Sequence, residues 1–346
     1  MDPALLLENL RTPAILFFAL GLFAAVVRSD LAIPEPVSKI LSIYLLAAIG
    51  LHGGHELAAS PLNGQILGLL GVAILMSAAV PIWSFFVLRL RVDAYNAAAI
   101  AATYGSISAV TFITAQNFLS SLDSGDPQMV PGGYMVAAMA LMESPAIIVG
   151  VLLARVFTPQ AERQADGPSG SYTNPPTGRG SGIDWRELLR EACLTGAVVT
   201  LVGSLLIGTA ISDAGWSSIK PLMYDPFKGV LCLFLLDIGL LAGRRLKDLR
   251  RSGPFLIGFA ILSAPIHAAL GIAAGYLLGA SPADTLLLAV LTGSASYIAA
   301  PAAMRLAIPQ ANASFYIPMS LALTFPFNIT VGIPLYLAVI RWLWNA

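Results

Sequence analysis

Two polar strings interrupt long apolar runs of this chain: TYGSISAV at 103–110 and LTGSASYI at 291–298. Each carries Gly-Ser-x-Ser. Glycine weakens a helix by roughly 1 kcal/mol relative to alanine, and serine hydroxyls compete for the backbone. Pro301 follows the second copy and removes another helical hydrogen bond. The pattern predicts two interrupted helices at membrane depth, where broken backbone survives only inside protein or beside a cavity. Half-helix N-termini around one small space favour an anion. Ser106, Ser108, Ser294 and Ser296 would add hydroxyl donors, with Thr103 and Thr292 as further ones. Gly105 and Gly293 would let a ligand approach the backbone. No Arg or Lys falls at that depth, so a compact, singly charged oxyanion fits better than a phosphate or dicarboxylate, which commonly recruit Arg. The competing reading is that Gly-Ser pairs only let helices pack closely.

A second set of polar residues points to a cation. Glu143, in ALMESPAIIVG, and the stretch LTFPFNITVGIP with Thr324, Asn328 and Thr330 lie inside apolar windows. Pro145 and Pro326 loosen these helices and free carbonyls. Carboxylate, amide, hydroxyl and carbonyl oxygens are what a hard cation takes. The candidate sodium ligands are Glu143, Thr103, Thr324, Asn328 and Asp237. A protonatable Glu143 would serve proton coupling on the same terms, and Asp237 fits a coupling group or a partner for a basic residue equally well. Gln116 and Asn117 read as interhelical glue, HGGHE (52–56) as a polar helix end at the interface, and His267 as a buried, hydrogen-bonded histidine. Cys193 and Cys232 give no disulfide framework or metal spacing. No nucleophile–base pair stands out, so an enzyme is not expected.

The elements that hold these residues are membrane helices. Of 346 residues, 57% are hydrophobic and 11% charged, with a mean hydropathy of +0.79; soluble domains carry about 25% charged residues. The formal net charge is zero, which leaves no electrostatic footprint for a nucleic acid. A crossing helix needs about 20 apolar residues. The expected fold is therefore an all-α integral membrane protein with ten transmembrane helices, near 11–28, 37–58, 64–89, 93–119, 132–156, 186–211, 225–244, 254–279, 283–306 and 313–342. Fifteen of the 19 Lys and Arg residues fall in loops on one side, which puts both termini outside and the linker in the cytoplasm.

The chain reads as two inverted repeats. IGLHGGHEL (49–57) resembles IGLLAGRRL (238–246), GVAIL (71–75) matches GFAIL (258–262), and Gly105-Ser106 falls on Gly293-Ser294. Tyr134 and Gly150 fall on Tyr316 and Gly332. Five spans per half force the second half to enter from the opposite side, the architecture of secondary transporters. The halves are 1–158 and 185–346. Between them, 159–184 is rich in Gly, Pro and Ser and reads as a cytoplasmic linker.

LHGGHEL, YGSISAVTFITA, MALMESPAIIVG, LTGSASYIAAPAAMR and LALTFPFNITVGIPLY together resemble the cyanobacterial high-affinity sodium-dependent bicarbonate symporters, over about 11–342. The resemblance implies bicarbonate as the anion and sodium as the coupling ion, with no other cofactor. It implies a homotrimer in the plasma membrane that serves inorganic-carbon concentration, and inhibition by a trimeric, nucleotide-binding PII-like protein on the cytoplasmic face. It also implies a fold similar to bile-acid sodium symporters, with a core of spans 3–5 and 8–10 and a gate of spans 1, 2, 6 and 7. Gly105, Ser106, Ser108, Gly293, Ser294 and Ser296 match the family's substrate region, where spans 4 and 9 cross; Glu143, Thr324 and Asn328 match polar positions assigned to the ion. The alternatives are a sodium- or proton-coupled carrier of another small monoanion, or a membrane sensor of bicarbonate that does not transport it.

Overall fold

A computed structural model describes residues 7, 9–59, 63–122, 126–158, 194, 196–248 and 252–344. The linker 159–184 and Cys193 lie outside the described residues. Among those described, every regular element is helical. The first half comprises α1 (Pro13–Val26), α2 (Glu35–Ala59), α3 (Gly64–Leu88), α4 (Ala94–Gly105), α5 (Ala109–Ser121), α6 (Tyr134–Glu143) and α7 (Pro145–Phe157). The second comprises α8 (Gly196–Ala210), α9 (Asp213–Met223), α10 (Phe227–Arg245), α11 (Gly253–Leu277), α12 (Pro282–Gly293), α13 (Ala299–Ala307), α14 (Ala313–Pro318) and α15 (Ile333–Trp344). Two stretches of widened π turns, Met319–Thr324 and Asn328–Gly332, flank a single α turn at Phe325–Phe327 between α14 and α15.

Six segments are long and apolar enough to cross a membrane, and a seventh if α9 and α10, bent by 43°, count as one. α1, α8 and α12 are apolar but shorter. Each of the ten apolar windows contains helix among its described residues. Leu20, Phe23, Leu75 and Leu277 stand 50–83% exposed, a pattern that suits lipid, where no area is removed from water by hiding them.

The helices pack in two sets. α1 lies along α10, and α2 along α8. These pairs touch backbone to backbone: a Cβ on Gly21 would meet the Leu236 carbonyl, and one on Gly239 the Phe18 carbonyl. Gly54 and Gly208 face each other in the same way across α2 and α8. Small residues permit this close approach, which stands in for the missing hydrophobic drive between helices in lipid. The other set holds α3, α4 and α7 against one another, and α11 and α15 around α12. It places both Gly-Ser-x-Ser strings at its centre.

Candidate functional site

The two strings break their helices at the same place. α4 ends at Gly105, and Ser106 turns extended (φ −85°, ψ 160°). α12 ends at Gly293, and Ser294 does the same (φ −89°, ψ 169°). The extended stretches lie side by side: Ser108 N donates to Ser294 Oγ at 3.0 Å, and Ser296 N donates to the Thr103 carbonyl at 2.9 Å. α5 and α13 then start from the crossing. Pro301 sits in the first turn of α13, where its missing N–H has no helical partner to lose; it helps to begin the helix rather than to interrupt it.

The serines divide into two kinds. Ser106 Oγ donates to the Glu143 carbonyl at 3.1 Å, and Ser294 Oγ donates to the Leu291 carbonyl at 3.0 Å. Thr103 and Thr292 donate to the carbonyls of Ala99 and Leu288 in their own helices. The hydrogens of these four groups are committed to the backbone. Ser108 and Ser296 instead accept, from Thr111 N and Ala300 N, both at 3.2 Å. That leaves each of them a hydroxyl hydrogen to give, the one on Ser108 within reach of the Tyr297 hydroxyl as well as of the cavity. These two serines and Tyr297 are the polar side chains of the two strings that line a cavity of about 60 Å³ between the crossing, α2, α8 and α10. That is room for a few atoms, not for a large solute.

Gly105 and Gly293 do not face this cavity. A Cβ on Gly105 would come within 2.5 Å of Pro81 Cδ on α3, and one on Gly293 within 2.7 Å of the Ala264 carbonyl on α11. Their smallness seats the broken helices on their neighbours.

Glu143 enters the same cavity from the end of α6. It is 6% exposed, and its carboxylate has no hydrogen-bond or ion-pair partner among the described residues. The break that presents it is Ser144–Pro145, where α6 hands over to α7. The remaining expected cation ligands are dispersed. Asn328, fully buried, donates to the Gly293 carbonyl at 2.9 Å and accepts from Tyr336 Oη at 2.8 Å. Thr324 donates to the Ala260 carbonyl at 2.8 Å and shares a 2.7 Å bond with Tyr104 Oη. Thr330 bonds to the Pro326 carbonyl in its own helix. Asp237 belongs to the outer set of helices and takes a hydrogen bond from Ser38. Its partner is a hydroxyl, not the basic residue considered from sequence.

Several participants were not legible beforehand. Tyr336 and Tyr104 brace Asn328 and Thr324. Asn9 is fully buried and donates to the carbonyls of Ile329 and Thr330, two groups of the π-turn stretch, at 2.7 and 3.0 Å. A tyrosine eight residues after an intramembrane asparagine was the available signal for Tyr336; nothing in the sequence near Asn9 announces a contact 320 residues away. His267, expected to be hydrogen-bonded, is buried with both ring nitrogens unpartnered and stands edge-on to Trp83, ring centroids 4.9 Å apart. Gln116 and Asn117, expected between helices, line a second cavity with His52 and Glu56. Among the described residues no three His, Cys, Asp or Glu side chains converge as a metal site.

The family model described as the Na+-dependent bicarbonate transporter superfamily matches residues 13–341. No curated protein matches the chain.

Proposed function

The chain belongs to the Na+-dependent bicarbonate transporter superfamily, a family of transporters and not of enzymes, and from that premise we propose that it is a sodium-driven bicarbonate symporter whose anion site is the cavity at the crossing. The observation that carries this reading is the pair Ser108 and Ser296. They are 188 residues apart in sequence, each accepts a backbone N–H near the start of the helix that leaves the crossing, and both line the cavity. Two such donors and two helix N-termini, with no Arg or Lys, suit a small monoanion.

Glu143 is the coupling group in this proposal. A buried carboxylate without a partner is costly unless a cation or proton neutralises it. Sodium at Glu143 removes that cost and makes the neighbouring cavity hospitable to an anion, so each ion improves the binding of the other. Asn328, Thr324 and Thr103 hold the geometry, through bonds that sodium can join by a free oxygen lone pair.

The wider scheme follows the family resemblance. Two inverted repeats, 1–158 and 185–346, give ten spans joined by the cytoplasmic linker 159–184. The core of spans 3–5 and 8–10 moves against the gate of spans 1, 2, 6 and 7 to expose the site to each side in turn. Repeat-related contacts support the symmetry: Pro81 seats Gly105 as Ala268, 187 positions later, seats Gly293. Homotrimeric assembly in a cyanobacterial plasma membrane, a role in inorganic-carbon concentration and control by a PII-like regulator belong to the same proposal and rest on the resemblance alone.

The test is uptake of labelled bicarbonate into vesicles under an inward sodium gradient, against the same gradient of choline. Sodium-dependent accumulation above equilibrium is expected. Equal uptake in choline removes sodium coupling, and binding without accumulation makes the chain a sensor. Competition by short carboxylates or sulfate identifies a carrier of another anion.

A further inference from the structure

A larger cavity, of about 410 Å³, lies on the same seam as the crossing cavity. On α2 the lining passes from Leu45 and Leu46 to Ala48, Ile49, His52 and Glu56; on α5 it passes from Val110 and Ile113 to Gln116, Asn117 and Ser120. By the distribution of basic residues this is the external end. Lys228, at the start of α10, brings a cation to a wall that also carries the amides of Gln116 and Asn117, the hydroxyls of Ser120 and Tyr224 and the carboxylates of Glu56 and Asp225.

The groups here are placed for more than solvent. His52 Nε2 stands 3.2 Å from Glu56 Oε1. A carboxylate at that nitrogen keeps the ring proton there, which makes Nδ1 an acceptor. Nδ1 is buried and has no partner, and neither has Asn117 Oδ1. The ring is held between Trp216, stacked at 5.6 Å and 19°, and Tyr224 at 4.5 Å. His52 Nδ1, an acceptor fixed by a carboxylate and two aromatic rings, still lacks a donor of its own. Bicarbonate is an anion that also carries one O–H. Nitrate and chloride carry none.

We propose that this cavity is a second, external anion site that selects bicarbonate before it reaches the crossing. Lys228 holds the charge, the amides of Gln116 and Asn117 hold the oxygens, and His52 Nδ1 accepts the acid hydrogen. A site that expects a hydrogen-bond donor rejects an analogue without one, because its acceptor is then left unpaired. The inference rests on the bicarbonate reading above, and it locates selectivity away from the crossing.

The experiment uses the full chain in right-side-out vesicles with a reporter cysteine at the rim, Ser120→Cys, and a membrane-impermeant thiosulfonate added outside. Val130→Cys, at a position 65% exposed on the same rim, is the second reporter if the first fails to insert. The parent chain with its native cysteines gives the background. External modification is expected, slowed by bicarbonate and not by equal nitrate or chloride. Lys228→Gln should raise the protecting bicarbonate concentration about tenfold, the factor for losing one charge-assisted bond, while Lys228→Arg restores protection. His52→Phe keeps the ring between its neighbours and should erase the preference over nitrate. Equal protection by all three anions, indifference to Lys228→Gln, or no modification from outside overturns the proposal. Intact protection without sodium-driven uptake instead overturns the symporter reading and leaves this site standing; normal uptake without protection does the reverse.

Discussion

The two broken helices have the same backbone and different chemistry behind them. In the first half, Ser106 leans on the Glu143 carbonyl and leaves the Glu143 carboxylate unpaired in the cavity. In the second, the Gly293 carbonyl is tied to the Asn328 amide, whose oxygen is tied to Tyr336. The first half presents a buried carboxyl with no partner among the described residues, and the second a satisfied network. Buried polar groups that are fully bonded rigidify their surroundings, whereas an unpartnered one waits for a ligand. The proposed substrate donors, Ser108 and Ser296, follow the symmetry; the proposed coupling group does not. Under the function proposed above, that difference pairs a symmetric anion cradle with one-sided cation chemistry.

The largest effects should come where the halves are alike. Gly105→Val and Gly293→Val each push a side chain into a neighbouring helix, against the Pro81 ring in one case and the Ala264 carbonyl in the other. Overpacking of this kind costs about 3 kcal/mol. Both variants should lose folded, detergent-stable protein in a thermal melt. A harmless Gly293→Val shows that the second break is not seated as the first is.

Glu143→Gln should separate the halves most sharply. It keeps the shape of the side chain and removes its charge, so the melting temperature should hold while sodium-driven uptake falls about a hundredfold, on the scale of losing a buried charge–cation contact. Asn328→Ala should act the other way. It strands the Gly293 carbonyl and the Tyr336 hydroxyl, at about 2–4 kcal/mol for two buried groups, and the melt should show it. If Glu143→Gln is the destabilised one, the carboxylate belongs to the scaffold.

Ser108→Ala and Ser296→Ala should raise the half-saturating bicarbonate concentration by similar factors, about fivefold each for one lost neutral hydrogen bond. Ser106→Ala and Ser294→Ala change it less, because their hydrogens serve the backbone. The reverse order in uptake kinetics would move the anion to the other face of the crossing. Tyr336→Phe is the smallest change, about 1 kcal/mol, read as a modest fall in melting temperature.

The helix positions were legible because lipid imposes a length on apolar runs, and each of the ten windows contains helix. The Gly-Ser strings were legible as breaks because they weaken a helix locally, whatever surrounds them. Which serine faces the cavity was not. Ser106 and Ser108 are two residues apart and chemically identical; a single bond to the Glu143 carbonyl removes one from service, and that carbonyl comes from another helix. The polar stretch around Pro326 was read as loosened, and it is, in the form of π turns. Its stabilising partner Asn9 is invisible from a local window.

The sequence by itself determined a helical membrane protein with two repeated weak points, because composition and propensity act residue by residue. Only the tertiary structure decided which hydroxyls are committed to the backbone, that the glycines seat neighbouring helices, and that Glu143 alone of the expected cation ligands lines the crossing cavity. Those outcomes depend on hydrogen bonds and contacts between segments distant in the chain. A donor is available to a ligand only when every other segment has left it so.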